Sequence, residues 1–206
     1  MNSILKPYLL NVELSNDLRK DIHSFFEAHH DQETLEHTLT VAAEAKRVAG
    51  LFGADPQKAE KAGLLHDISN VVPVSKMLDL AKALSIEIMD EEYKYDRIIH
   101  QKLSKAMAKE IFHINDQEIL SAIECHTTLK PQSSLLDKVL FISDKISWNL
   151  PGEHSYLQEI RDKVNKYKLN DGILIYLEQV WEERSKLKLV HPWLIEAREE
   201  LIEMNR

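Results

Sequence analysis

A single cysteine, Cys125, stands in the whole chain, which excludes intramolecular disulfides and cysteine-rich zinc sites. Glycine is scarce too. It occurs only at positions 50, 53, 63, 152 and 172, so neither a P-loop nor a dinucleotide glycine fingerprint can be written. There is also no G-x-S-x-G elbow, H-E-x-x-H or C-x-x-C motif. The longest uninterrupted apolar run is Ile173–Leu177, far short of the roughly 18 residues of a membrane span. Glu13 and Asp17 interrupt the region where a signal peptide needs an apolar centre, so a soluble cytoplasmic protein is expected. Basic residues are outnumbered, 26 against 34 acidic ones, for a net charge of −8. That balance argues against a nucleic-acid binder, while small phosphorylated substrates stay open if a metal supplies local positive charge.

What remains is a chain of 206 residues built for helix. Breakers are few, with five glycines and six prolines, and Leu, Ala, Glu and Lys abound. Helical spacing of apolar residues recurs through Leu18–His29 and through Val41, Ala45, Val48 and Phe52, the latter stopping near Gly53. Asp55-Pro56 is a start signal, and Pro73 opens a further short helix. The spacing predicts helices from about Ile98 to Phe112, Asp116 to His126 and Ser134 to Trp148, the last with a capping-box-like Ser134/Asp137 pair. After a break at Leu150-Pro151-Gly152, three more are expected over roughly Glu153–Lys166, Asp171–Lys186 and Pro192–Met204. The expectation is an all-α protein: one helical domain over residues 1–150, and C-terminal helices over 151–206 packed on it.

Extending each apolar stripe shows which polar residue it meets. Four residues before Val41 stands His37; Ala59 and Ala62 lead to His66, followed at once by Asp67. Leu103 and Met107 lead back to His100, Ile119 and Ile123 forward to His126, and Leu136 and Leu140 to Asp144. Taken singly, a histidine at a helix end is more often a packed or capping residue. Together, two carboxylates and four imidazoles on five buried stripes need a partner, and one or two divalent cations satisfy all six. Mixed imidazole and carboxylate donors suit iron, manganese or zinc better than calcium.

These residues resemble the HD-domain metal-dependent phosphohydrolases. That pattern is a histidine, a His-Asp doublet and a distant aspartate, matched here by His37, His66-Asp67 and Asp144, with His100 and His126 as the extra histidines of the two-metal branch. Within the superfamily the chain is most similar to the bacterial symmetrical diadenosine tetraphosphate hydrolases, over about Glu33 to Lys145. The resemblance implies an HD-like helical bundle and two metal ions, iron before manganese or zinc. His37, His66, Asp67 and Asp144 would hold one ion and Asp67, His100 and His126 the other, while a nucleotide is the small-molecule substrate. A homodimer is compatible with it. The chain departs from that group at Ile68 and Asn70, where an aromatic residue and a lysine are usual, and in the Lys145–Asn149 stretch. Other jobs known for such a metal site are a nucleoside monophosphatase, an oxidative di-iron enzyme and a nucleotide-binding regulator without turnover.

Asp67, Asp144 and Lys145 are the catalytic candidates. Lys130, Lys145 and Thr127 are candidates for phosphate contact; Thr127 and Thr128 both have hydroxyls that can donate to phosphate oxygens, and both equally read as closing the helix after His126. Asp90-Glu91-Glu92 reads as a solvated turn, Cys125 as core, and His23, His113, His154 and His191 as ordinary surface or packing residues.

Overall fold

The computed structural model describes residues 2–15, 17–148 and 154–204, so the Leu150-Pro151-Gly152 break lies outside the described residues, as do Asn149 and Glu153. Among the described residues there are ten α-helices and no strand: α1 Leu18–Ala28, α2 Gln32–Phe52, α3 Pro56–Leu65, α4 Val74–Ala83, α5 His100–Glu110, α6 Gln117–Cys125, α7 Leu135–Ile146, α8 Ser155–Asn165, α9 Leu169–Glu182 and α10 Pro192–Met204. Among them, no helix is long and apolar enough to cross a membrane.

Local chemistry sets the helix ends. Gly53 closes α2 at φ 77°, a left-handed conformation that glycine adopts without steric cost. Asp55 then caps α3 by accepting the amides of Gln57 (2.8 Å) and Lys58 (3.1 Å). Ser134 and Asp137 form the reciprocal capping box of α7. Where the pattern predicts helix from Ile98, the chain instead makes a 3-10 turn over Asp96–Ile99, and α5 starts at His100. Likewise α9 ends at Glu182, and Arg184–Lys186 is a 3-10 turn.

The core is one cluster. Phe25 and Phe26 of α1, Leu35 of α2, Leu65 of α3, Leu103 of α5 and Phe141 of α7 are all fully buried in it. The α2–α3 contact is unusually close, because a Cβ added at Gly63 would lie only 2.6 Å from Ala42 Cα. Only a residue without a side chain lets α3 approach α2 there, and that approach sets the depth at which His66 enters the core. The C-terminal helices join the same cluster through Leu157, Ile160 and Val164 of α8, Ile173 and Leu177 of α9, and Leu194 and Leu201 of α10. Arg161 of α8 donates to the carbonyl of Ile146 (2.7 Å), tying α8 to the end of α7.

One residue of the expected solvated turn is corrected. Asp90–Lys94 is a 3-10 turn with Asp90 exposed, but Glu92 is fully buried. Its carboxylate accepts Lys102 Nζ (2.7 Å) and the Met89 amide (2.7 Å), and faces His191 Nε2 at 3.1 Å. His191 is buried as well, and its Nδ1 accepts the Trp193 amide. The proton therefore sits on Nε2, which donates to Glu92. This network fastens the start of α10 to α5, so His191 is a packing residue, one of the two roles expected of it.

Candidate metal centre

Five helices deliver the six donors to one place. His37 sits in the second turn of α2, His66 ends α3 with Asp67 directly after it, His100 opens α5, His126 ends α6, and Asp144 lies in the last turns of α7. His37 Nε2 is 3.0 Å from Asp144 Oδ1, and His66 Nε2 is 3.6 Å from Asp67 Oδ2 and 3.7 Å from Asp144 Oδ1. Asp67 Oδ1 is 3.4 Å from both His100 Nε2 and His126 Nε2, which are 3.0 Å from each other.

Backbone carbonyls aim three of the rings. Nδ1 of His66, His100 and His126 donates to the carbonyl three residues earlier: Gly63 (2.7 Å), Arg97 (2.8 Å) and Ile123 (2.8 Å). In a neutral imidazole this puts the proton on Nδ1 and leaves a lone pair on Nε2, directed into the cluster. Two of the acceptors at the centre have nothing to accept: His66 Nε2 and Asp67 Oδ1 are buried without a hydrogen-bond partner. Buried polar atoms are rarely left so. Lone pairs on nitrogen and oxygen converging in a dry site are the donor set of a divalent cation, so the residues fit a metal. Two triads have donor atoms mutually within 4.8 Å, His37/His66/Asp67 and Asp67/His100/His126, and Asp67 belongs to both.

The charges follow from burial and neighbours. Burial works to raise Asp144, but the Lys145 charge and the His37 hydrogen bond hold it far below the ordinary carboxylate range. Asp67 is likewise held low, its imidazole neighbours outweighing burial. Burial lowers His66, and takes His100 from its ordinary 6.5 to about 4. His37 differs, because the hydrogen bond and charge of Asp144 outweigh burial and raise it.

A pH prediction arises here. With His66 and His100 depressed, the unfolded metal-free chain binds more protons than the folded one between about pH 6.5 and pH 4. Stability should therefore fall as pH is lowered through that window, with His100 alone contributing about 3 kcal/mol. His37 acts in the opposite sense but above this window: being raised, it adds stability as pH falls toward 6.5, and that contribution is constant below it. Urea midpoints of metal-free protein across the window measure it, and a rise on acidification would contradict neutral, inward-aimed rings.

Around the donors the other candidates separate. Thr127 is at the cluster, with Oγ1 3.1 Å from His100 Nε2. Thr128 is buried and bonds the Leu129 carbonyl, closing the turn. Lys130 is not brought to the site: its ammonium donates to Ser121 Oγ (2.8 Å), because the loop after His126 turns it back along α6. Lys145 is corrected too. Its Nζ is buried, paired with Asp144 Oδ2 at 2.7 Å and enclosed by the rings of Phe141, Trp148 and Tyr176 at 4.7 to 5.5 Å. It orients a carboxylate and does not reach for phosphate. Cys125 is buried.

Beside the cluster opens a cavity of ≈310 Å³ lined by Asp31, Glu33, Thr34, His37, Asp67, Asn70 and Arg97. A larger one of ≈920 Å³, between α2 and α8, includes none of the six donors. Arg97 and Thr34 carried no sequence signal, since a 3-10 turn and a helix's first turn have no apolar stripe to extend. Asn70 is visible in the sequence only as a departure from the hydrolase pattern.

Comparison with known proteins agrees with this geometry. The HD domain family matches residues 34–149, which contain all six donors. An uncharacterized protein in the pepC 5′ region of Lactococcus lactis subsp. cremoris is 43% identical over 140 residues, covering 68% of this chain and 70% of that one. A symmetrical bis(5′-nucleosyl)-tetraphosphatase of Halalkalibacterium halodurans is 32% identical over 148 residues, covering 71% and 76%. The crystal structure of a "predicted HD superfamily hydrolase involved in NAD metabolism" from Clostridium acetobutylicum superposes with a TM-score of 0.82 at 30% identity, over 90% of this chain and 97% of that one. Likeness over most of the length, in sequence and in fold, settles the assignment: the chain belongs to the HD-domain family and is a metal-dependent phosphohydrolase.

Proposed function

We propose that the enzyme hydrolyses a nucleotide phosphoanhydride, and specifically that it cleaves diadenosine tetraphosphate symmetrically into two molecules of ADP. The observation that carries the reading is the pair of donor triads sharing Asp67 at the edge of an open cavity. The activity in the name of the Halalkalibacterium relative supports the substrate.

His37, His66, Asp67 and Asp144 would hold one ion and Asp67, His100 and His126 the other. The donor types favour iron, with manganese or zinc as alternatives. When bound, the ions supply a water nucleophile near neutral pH and neutralise phosphate oxygens. The protein's own part is positional. The carbonyls of Gly63, Arg97 and Ile123 hold three rings in one tautomer, and Lys145 fixes one oxygen of Asp144 and leaves the other toward His37. Thr127 Oγ1, 3.1 Å from His100 Nε2, would donate to a phosphate oxygen in this reading. No side chain need protonate the leaving group, since ADP departs as a phosphate. A cavity of ≈310 Å³ is at the small end for a nucleotide site, so it holds the phosphates while the adenosines lie toward the surface. Residues 1–150 are the hydrolase domain in this reading, with 151–206 braced against it, and the protein is cytoplasmic.

The test is product analysis of metal-loaded enzyme with diadenosine tetraphosphate, alongside elemental analysis of protein isolated without chelator. Two ADP per substrate, from protein carrying one to two transition-metal ions, is the expected result. AMP plus ATP would replace the reading with asymmetric cleavage, and no turnover of any nucleotide would overturn it.

A further inference from the structure

We infer that Arg97 is the residue that grips the phosphate chain beyond the metal centre, with Asn70 beside it, and that this pair makes the enzyme select nucleotides by the number of their phosphates. The inference rests on the nucleotide reading above and adds the determinant of chain length.

The cavity wall sets the problem. Asp31, Glu33 and Asp67 all contribute carboxylates, an unfavourable border for a polyanion. Metal ions at the donor cluster can neutralise the phosphates they touch, but a phosphate one unit further along meets only the wall. Arg97 is the one lysine or arginine among the described lining residues. The other nearby cations are spoken for: Lys145 by Asp144, and Lys130 by Ser121. Arg97 is exposed, and among the described residues its guanidinium makes no ion pair or hydrogen bond.

Its position is also fixed relative to the metal donors. Arg97 lies in the 3-10 turn Asp96–Ile99, and its carbonyl accepts His100 Nδ1 at 2.8 Å. The backbone that aims a metal-facing ring therefore also carries the guanidinium, so its reach is measured from the site itself. A guanidinium presents a planar fork that matches two phosphate oxygens, which a point-charge ammonium does not. Asn70 completes the pair. It lines the same wall, three residues after Asp67, and its Oδ1 is buried without a hydrogen-bond partner. Its Nδ2 can donate to a phosphate oxygen, while the unpaired Oδ1 is an acceptor that a hydroxyl of the ribose can meet.

The experiment compares Arg97→Ala, Arg97→Lys and Arg97→Glu with wild type, all loaded with manganese. Binding of ADP and of AMP is measured by calorimetry, and KM and kcat with diadenosine tetraphosphate. Arg97→Ala should weaken ADP binding about tenfold or more, the scale of one lost charge-assisted bidentate contact, while AMP affinity moves by less than about twofold. KM for the tetraphosphate should rise by a similar factor, with kcat changed by less than about threefold and metal content unchanged. Arg97→Lys should recover part of the loss, and Arg97→Glu should be worse than Arg97→Ala. ADP affinity unchanged in Arg97→Ala, or lost equally for ADP and AMP, overturns the inference. If wild type hydrolyses no nucleotide, the proposed reaction fails, and the ADP-against-AMP comparison still decides the role of Arg97.

Discussion

Asp67→Ala should lose most of its metal and lower kcat/KM by at least about 10³-fold, equivalent to about 4 kcal/mol of transition-state stabilisation. Asp67 is the only donor common to the two triads, so its removal opens both sites at once. It also lies at the junction of α3 and the following 3-10 turn, directly after His66. His100→Ala, by contrast, opens only the triad it shares with His126, and should leave up to one ion per chain. Elemental analysis of the two variants, purified identically, separates these cases. Wild-type metal content in Asp67→Ala would remove the bridging role, and with it the two-ion reading.

The second large effect concerns stability. Lys145→Met should destabilise the protein by about 3–5 kcal/mol, the usual range when one partner of a buried ion pair is removed. For a domain of this size that corresponds to a fall of roughly 10 °C in Tm. The cause is the carboxylate left behind. Asp144 is buried, and without the ammonium 2.7 Å from Oδ2 its charge has only the His37 and Trp148 hydrogen bonds to offset its desolvation. Methionine fits the volume and keeps contact with the aromatic rings, so lost packing is not the source. Adding Asp144→Asn removes the stranded charge, and the double variant should recover much of the loss. Urea unfolding of the single and double variants of metal-free protein makes the comparison. A single variant as stable as wild type would show that Lys145 does not offset the Asp144 charge.

What could be read in advance and what could not divide along a physical line. The six donors were legible because each lies on, or one step beyond, an apolar stripe of period 3.6, and the buried face of a helix is a local property of sequence. The capping chemistry of Asp55 and of Ser134/Asp137 was legible for the same reason. The direction of a long flexible side chain was not. Lys145 follows a metal-facing residue and so invited a role at the substrate; its ammonium is instead enclosed partly by Tyr176, which a helix 31 positions later brings in. Glu92 looked solvated within an acidic triplet, and its partner His191 lies 99 positions away. Lys130 and Arg97 show the same limit from opposite sides: one aimed away from the donor cluster, the other brought to the cavity wall beside it by a turn without periodicity.

The carbonyl ties on His66, His100 and His126 have a consequence for which ions the site accepts. Each tie closes over three residues, at the ends of α3 and α6 and across the 3-10 turn that leads into α5, so the direction of every lone pair is set locally. The spacing between lone pairs is set separately, by how α3, α5 and α6 lie against one another. The site is therefore stiff in angle and compliant in distance. An ion of larger or smaller radius can be met by a slight shift between helices without any ring losing its aim. Exchange among first-row cations should then alter bond lengths and turnover far more than it alters which residues do the holding.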